Sequence, residues 1–266
     1  TLALLAGMWT WETIAPAYTA RGRLRHGLRN LILALGNTLL LALLFGAALM
    51  AVSAWTQEHQ TGLLNLAVLP GWLRLALALL LLDLFLYLWH RANHVIPWLW
   101  RLHRVHHADD AMDVTTATRF HPAELIASAT LRLVLMPLLG LNILDLLIYD
   151  TIVIGATQFH HANISLGRLD VVLRTLIVTP GMHSVHHSIR REECDSNYGV
   201  VLSLWDRLAG TMNTSGPPRS FGVPGLHGER WRSLIGMLLL PFAPANSPSR
   251  STSSPSRPVS RPPRSR

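Results

Sequence analysis

The sequence predicts an all-α integral membrane helical bundle of about four spans, capped on its cytosolic side by a histidine-rich layer. Three observations carry that prediction. Half of the 266 residues are hydrophobic and only 14% are charged, against about a quarter in soluble domains. The apolar residues gather in runs long enough to cross ~30 Å of hydrocarbon. Fourteen histidines nearly equal the 15 acidic residues, and most cluster where those runs end.

The length fits one domain and a tail. The domain is taken as 1–240, with its core motifs over 72–213. Residues 241–266 are rich in Pro, Ser and Arg and bury too little apolar area to offset ordering entropy, so they are expected to be disordered. This tail holds five arginines and no acid, so most of the net charge of +8 lies there. Apolar runs and a basic tail, rather than nucleic-acid binding, account for the high pI. The single cysteine, Cys194, excludes an intramolecular disulfide framework and a Cys-based zinc site.

Residues 1–12 are apolar but too short to span. The chain starts at Thr1 without a basic n-region, so a truncated helix is expected rather than a signal peptide. Arg21, Arg23, Arg25 and Arg29 follow, then Asn30 to Trp55 without a charge. The positive-inside rule places the arginines in the cytoplasm, at a bacterial inner membrane. Residues 56–71 then form a far-side loop, and Trp72 to Trp89 returns the chain to the cytoplasmic face. Asp83 interrupts this return span. Asp83, Tyr87, His90 and His94 are spaced 4, 3, 4 and share one helical face. An acid at mid-span is costly and usually functional, so Asp83 is expected to support a metal site.

Residues 101–121 are polar, ending in a Thr-rich turn, and Pro122 suits the first position of a helix. The apolar stretch 123–159, broken by Pro137, Gly140 and Asn142, reads as a helical hairpin or two spans joined near Gly140. Leu169 to Val178 is expected in the membrane interface.

His90 and His94 are one helical turn apart. His103-x-x-His106-His107 and His183-x-x-His186-His187 each place imidazoles at i, i+3 and i+4. Eight imidazoles exceed the four ligands of a tetrahedral zinc, so two metal ions are inferred. Imidazole suits iron, zinc, copper or nickel. H-E-x-x-H, which would bring a zinc protease's Glu base, is absent. Nitrogen-rich ligation with open positions suits iron activating dioxygen, with zinc open as a substitute. Acids should accept the ligands' remaining ring N–H. Asp83 ranks first, ahead of Asp109, Asp110, Asp113, Glu124 and Asp195.

The order H-x-x-x-H, H-x-x-H-H, H-x-x-H-H comes with D-L-F-L-Y-L-W-H-R-A-N-H, L-W-R-L-H-R-V-H-H, T-A-T-R-F-H-P-A-E, F-H-H-A-N-I, V-T-P-G-M-H-S-V-H-H-S and S-N-Y-G-V-V-L-S-L-W-D-R-L-A-G-T. Together these resemble the fatty acid hydroxylase / sterol desaturase superfamily of membrane histidine-box di-iron oxygenases, in a form similar to its bacterial sterol desaturase and alkylglycerol monooxygenase-like branches. The resemblance implies that the cap is catalytic and holds two iron ions. His90 and His94 match the first box, His103, His106 and His107 the second, and His183, His186 and His187 the third. His161, in H-A-N, matches an extra histidine between the second and third boxes. His160 reads as its neighbour and a less certain ligand. His121, in R-F-H-P, is open between ligand, supporting group and helix-start residue. Asn163 is assigned to orienting an imidazole, and Asn197, Tyr198, Trp205 and Asp206 to packing. His26, His59 and His227 lie outside the motifs and are expected on the surface. Leu208-Ala209-Gly210-Thr211 departs from the aromatic residue the family commonly carries there.

The implied activity is O2-dependent hydroxylation or desaturation of a lipid C–H bond. The partners are a lipid from the bilayer, O2 and a separate electron donor (cytochrome, ferredoxin or reductase), because no C-x-x-C-H, ferredoxin Cys run or nucleotide fingerprint is present. Sterol, fatty acyl chain, ether lipid and carotenoid are all open as substrates. Two rival readings are weaker. A histidine-lined metal transporter expects its histidines at mid-depth. A zinc-dependent lipid hydrolase needs a general base, and no Glu lies inside a histidine motif.

Overall fold

The computed structural model describes residues 2–19 and 22–244. Helix α1, Leu2–Ile14, is too short to span and packs on the cap. Helices α2, Arg23–Glu58, α3, Gly71–Val95, and α5, Pro122–Leu139, arise from the apolar runs. These three are long and apolar enough to cross a membrane. They turn Leu35, Leu39, Leu43, Leu88, Val134 and Leu138 outward, an apolar belt larger than a water-soluble monomer sustains. The 36 residues of α2 extend about 54 Å at ~1.5 Å per residue. Its first turns therefore rise out of the hydrocarbon, and His26, Gly27 and Asn30 are buried there, His26 and Asn30 in hydrogen bonds within the cap.

Proline punctuation sets the cap's geometry. Pro97 forces Ile96 out of the helical region, to φ −87° and ψ 117°, because a residue before proline clashes in α geometry. The same proline opens helix α4, Pro97–His107, at its first turn. Chain direction changes within one residue, so the end of α3 and the length of α4 face each other. Pro122 opens α5 as the sequence predicts, with His121 as the N-cap: its Nδ1 accepts the Ala123 N–H at 3.2 Å.

The 123–159 stretch resolves into α5 and helix α6, Ile143–His161, joined at Gly140. Gly140 is left-handed (φ 78°), the conformation of a glycine helix stop, and it packs on Gly62, where an added Cβ would come within 2.0 Å of the Gly140 nitrogen. Asn142 and Asp145 form a reciprocal capping box for α6. Arg74 of α3 clamps this corner, donating to both Asp145 oxygens at 3.1 and 3.0 Å and to the Gly140 carbonyl. Helix α6 is not one of the three helices long and apolar enough to cross a membrane; it turns Leu144, Leu147, Ile152 and Ile154 outward and ends in His160 and His161.

Among the short helices that build the cap are α7, Arg168–Leu173, and α8, Pro180–His186, which opens on Thr179 as N-cap and Pro180. Leu169, Val171, Val172 and Leu176, within the stretch expected at the membrane interface, are exposed. No strand occurs among the described residues, only two isolated bridges. A C-terminal core of Leu226, Met237, Leu240 and Ala243 packs on Val105 and Ala108 of the cap. Arg104 donates to the carbonyls of Leu240, Pro241 and Ala243, so ordered packing continues to residue 243. The rest of the expected tail, from 245 onward, lies outside the described residues.

Candidate metal centre

Four helices bring nine histidines to one buried volume. The last turns of α3 supply His90 and His94. Helix α4 supplies His103, His106 and His107, α6 ends on His161, and α8 supplies His183 and His186 with His187 as its C-cap. They sort into two groups. His90, His94, His103, His107 and His186 offer ring nitrogens within 4.8 Å of one another, and His106, His161, His183 and His187 do the same. Each H-x-x-H-H box therefore straddles both groups. His103 and His107, a full turn apart, face one group while His106 faces the other. His183 and His187 join the second and His186 the first.

The spacing fits metal ligation. Nε2 atoms meet at 3.1 Å for His94–His107, 3.0 Å for His90–His186, 3.1 Å for His106–His161, 3.0 Å for His161–His183 and 3.1 Å for His183–His187. Two metal–nitrogen bonds of ~2.1 Å at a right angle separate their nitrogens by about 3.0 Å. The Nε2 of His103 is buried with no hydrogen-bond partner, although it points into the first group. Burial holds His106, His107, His183 and His187 far below the ordinary imidazole range, and His186 down to about 3. Neutral imidazoles are the form that binds metal.

Behind the first group every Nδ1 has a partner. His90 donates to the Tyr198 carbonyl at 2.8 Å and His186 to the Ser196 carbonyl at 2.6 Å. His103 meets Glu124 Oε1 at 2.7 Å and His94 meets Asp195 Oδ1 at 3.3 Å. His107 lies 3.6 Å from Cys194 Sγ. Behind the second group only His161 is held this way, by the Thr157 carbonyl at 2.8 Å. The Nδ1 atoms of His106, His183 and His187 have no partner. Ring contacts hold them instead: His106 stacks on Phe120 at 4.5 Å, His187 on His107 at 4.4 Å, and His183 faces His160 at 4.0 Å.

Other expected residues lie elsewhere. Asp83 does not support a ligand. It accepts from Tyr149 Oη at 3.0 Å, Trp205 Nε1 at 2.8 Å and Leu202 N at 3.2 Å. It shares the helical face of His90, but seven residues place it about 10 Å away along the axis. Glu124 and Asp195 are the acids that meet clustered imidazole rings. Asn163 orients a chain segment rather than an imidazole, exchanging hydrogen bonds with the Tyr18 backbone. His121 is the helix-start residue, its Nε2 on the Leu238 carbonyl. His160 is buried beside His161 but belongs to neither group.

Asp206 accepts from the N–H groups of Tyr198 and Gly199 at 2.8 and 2.7 Å, and so presents the Tyr198 carbonyl to His90. His59 and His227 are exposed as expected. His26 is not a surface residue: it is buried 3.2 Å from Asp109. Burial opposes the Asp109 charge, yet His26 and Arg119 hold its carboxyl well below the usual range. Glu12 has no signature in the sequence, yet it is buried in the cap. This fully buried acid pairs with Arg23 and accepts the N–H groups of Val114 and Asn163, tying α1 to the segments that follow α4 and α6. A single acid in a short apolar run carries no motif that would reveal it.

A family profile described as fatty acid hydroxylase matches residues 75–211, which take in all nine histidines. The chain is similar to an ornithine lipid hydroxylase of Rhizobium tropici, 29% identical over 176 residues, covering 65% of this chain and 52% of that protein. It is 31% identical over 143 residues to an alkylglycerol monooxygenase of Danio rerio, covering 51% of this chain and 30% of the relative. With a human cholesterol 25-hydroxylase it shares 26% over 141 residues, 53% of this chain and 51% of the relative. The matches thus span about half or less of these relatives. No solved structure matches the chain. The profile covers more than half of the sequence and every clustered histidine lies within it: the chain belongs to the fatty acid hydroxylase family.

Proposed function

We propose that this protein is a membrane-bound di-iron oxidoreductase that uses O2 to hydroxylate or desaturate a C–H bond of a lipid. The observation that carries this reading is the pair of buried, all-imidazole groups, five and four histidines, at the ends of apolar helices. Three relatives are named as lipid hydroxylases or monooxygenases, which supports the lipid as substrate class. In hydroxylation one oxygen atom enters the C–H bond and the other leaves as water. Two electrons and two protons complete the balance, and the electrons come from a separate donor protein.

Two irons, when bound, supply the reactivity toward O2 and the C–H bond. The chain's residues do the rest. His90, His94, His103, His107 and His186 hold one ion, and His106, His161, His183 and His187 the other. Glu124 and Asp195 accept ring N–H hydrogen bonds, fix the ligand rings and set negative charge against the metal. The lipid-facing helices bring an apolar substrate to the cap from the bilayer. The arginines at the start of α2 support a cytoplasmic cap at a bacterial inner membrane.

Metal analysis of the purified protein, combined with oxygen uptake on added lipid, tests the reading. Two irons per chain and lipid-dependent uptake are expected. Stoichiometric zinc with lipid cleavage in the absence of oxygen would overturn it.

A further inference from the structure

Arg132 is a charge in the middle of an apolar helix. It follows Pro122, the start of α5, by ten residues, about 15 Å at ~1.5 Å per residue. That is half of a ~30 Å hydrocarbon layer, and α5 is one of the three helices able to cross it. Arg132 Nη1 donates to Asp150 Oδ2 of α6 at 2.7 Å, so the two charges lie at one depth. No other hydrogen bond or ion pair to either side chain occurs among the described residues. A guanidinium carries five N–H donors and a carboxylate two acceptor oxygens, so most of this capacity is unused. The side chains are 28% and 35% exposed, and none of their unpaired atoms is buried within the chain. Leu147 and Ile154, a turn to either side of Asp150, are exposed on the same face of α6. The spare donors and the spare oxygen therefore open toward acyl chains, which offer no hydrogen bond. Ionisable groups at such depth almost always face a protein interior or a water-filled space.

We propose that a second copy of this chain covers the pair, in a two-fold dimer joined along α5 and α6. Both copies insert with the same topology, so the two-fold axis runs along the membrane normal. A rotation about that axis keeps every residue at its depth. Because Arg132 and Asp150 are level, it sets Arg132 of one copy against Asp150 of the other, and an isologous contact makes that pairing twice. A cation and an anion side by side are complementary to their own rotated image. The spare N–H groups of each guanidinium then meet the spare oxygen of the opposite carboxylate. The inference is independent of the chemistry at the histidine groups.

Cross-linking tests the contact in native membranes. Leu147→Cys and Ile154→Cys place thiols beside the pair, and native Cys194 is buried, which keeps background low. A short bis-maleimide should join two copies through at least one of these positions. Leu43→Cys, exposed on α2, is the control and should not cross-link. Absence of product at both α6 positions, or equal product at Leu43→Cys, overturns the inference.

Mass measurement by light scattering in mild detergent tests the charges. The wild type should be a dimer. Arg132→Leu combined with Asp150→Leu keeps an apolar surface and leaves no charge unpaired, so the chain should fold and elute as one species. Its dimer dissociation constant should rise about tenfold, the size expected for lost polar contacts between membrane helices. Arg132→Ala and Asp150→Ala should each weaken the dimer. Mixed together, they retain one Arg–Asp contact between copies and should form the heterodimer more readily than either homodimer. A monomeric wild type, an undiminished dimer in the double-leucine variant, or no preference for the heterodimer overturns the inference.

Discussion

In the five-histidine group all five Nδ1 atoms are held, by two backbone carbonyls, two carboxylates and a thiol. In the four-histidine group one is held, and the other three rings rest on Phe120, His107 and His160. The same side chain is thus mounted in two ways. A hydrogen bond at Nδ1 fixes the tautomer, aims Nε2 inward and raises its basicity. A stacked ring is located but not polarised. The first group is a rigid, electron-rich mount. The second has fewer nitrogens and weaker bracing.

The largest effects come from deleting one ligand from each side. His186→Ala and His106→Ala should each abolish lipid oxidation and each remove about one of two bound metals, read by turnover and metal analysis. Wild-type turnover in either variant would break the assignment. Next is the bracing itself. Glu124→Ala removes the partner of His103 and should weaken metal binding about 10–100-fold, the usual cost of losing such support, measured by competition with a chelator. An equal loss on Phe120→Ala would erase the distinction between a hydrogen-bonded mount and a stacked one.

Much of this is legible in the sequence alone. Pro122 and Gly140 punctuate helices as their chemistry requires, Leu169 to Leu176 turn apolar side chains outward, and the nine clustered histidines meet. What was hidden depends on the facing surface. Periodicity puts Asp83 on the face of His90 but says nothing of Trp205 and Tyr149 waiting opposite. It also puts His103, His106 and His107 on one face. Which group each ring joins is decided by how α4 packs against α3, α6 and α8. His26 and Glu12 were missed for a related reason: each sits outside any motif and is buried by residues distant in sequence, Asp109 and Asn163 among them.

Asp83 provides the control on bracing. Asp83→Asn should destabilise the fold by about 1–3 kcal/mol, the cost of a compromised buried hydrogen-bond set, while metal content stays at the wild-type level. A parallel loss of metal would return Asp83 to the site.

The smallest effect is at Glu12. Burial, then Asp113, raises its pKa from 4.5 to about 7, so between those values the folded chain holds a proton that the unfolded chain has released. Stability therefore falls as pH rises through that window. Glu12→Gln should flatten the dependence of the melting temperature from pH 4.5 to 7; an unchanged slope would locate the titration elsewhere.

The most direct test of two unequally mounted metals is chelation kinetics on the iron-loaded wild type, following both iron release and the spectrum of the remaining iron. The account predicts two irons per chain, lost in two phases, with the fast phase from the four-histidine group. Glu124→Ala should accelerate the slow phase alone. One iron per chain, or a single phase in which both leave together, would contradict it.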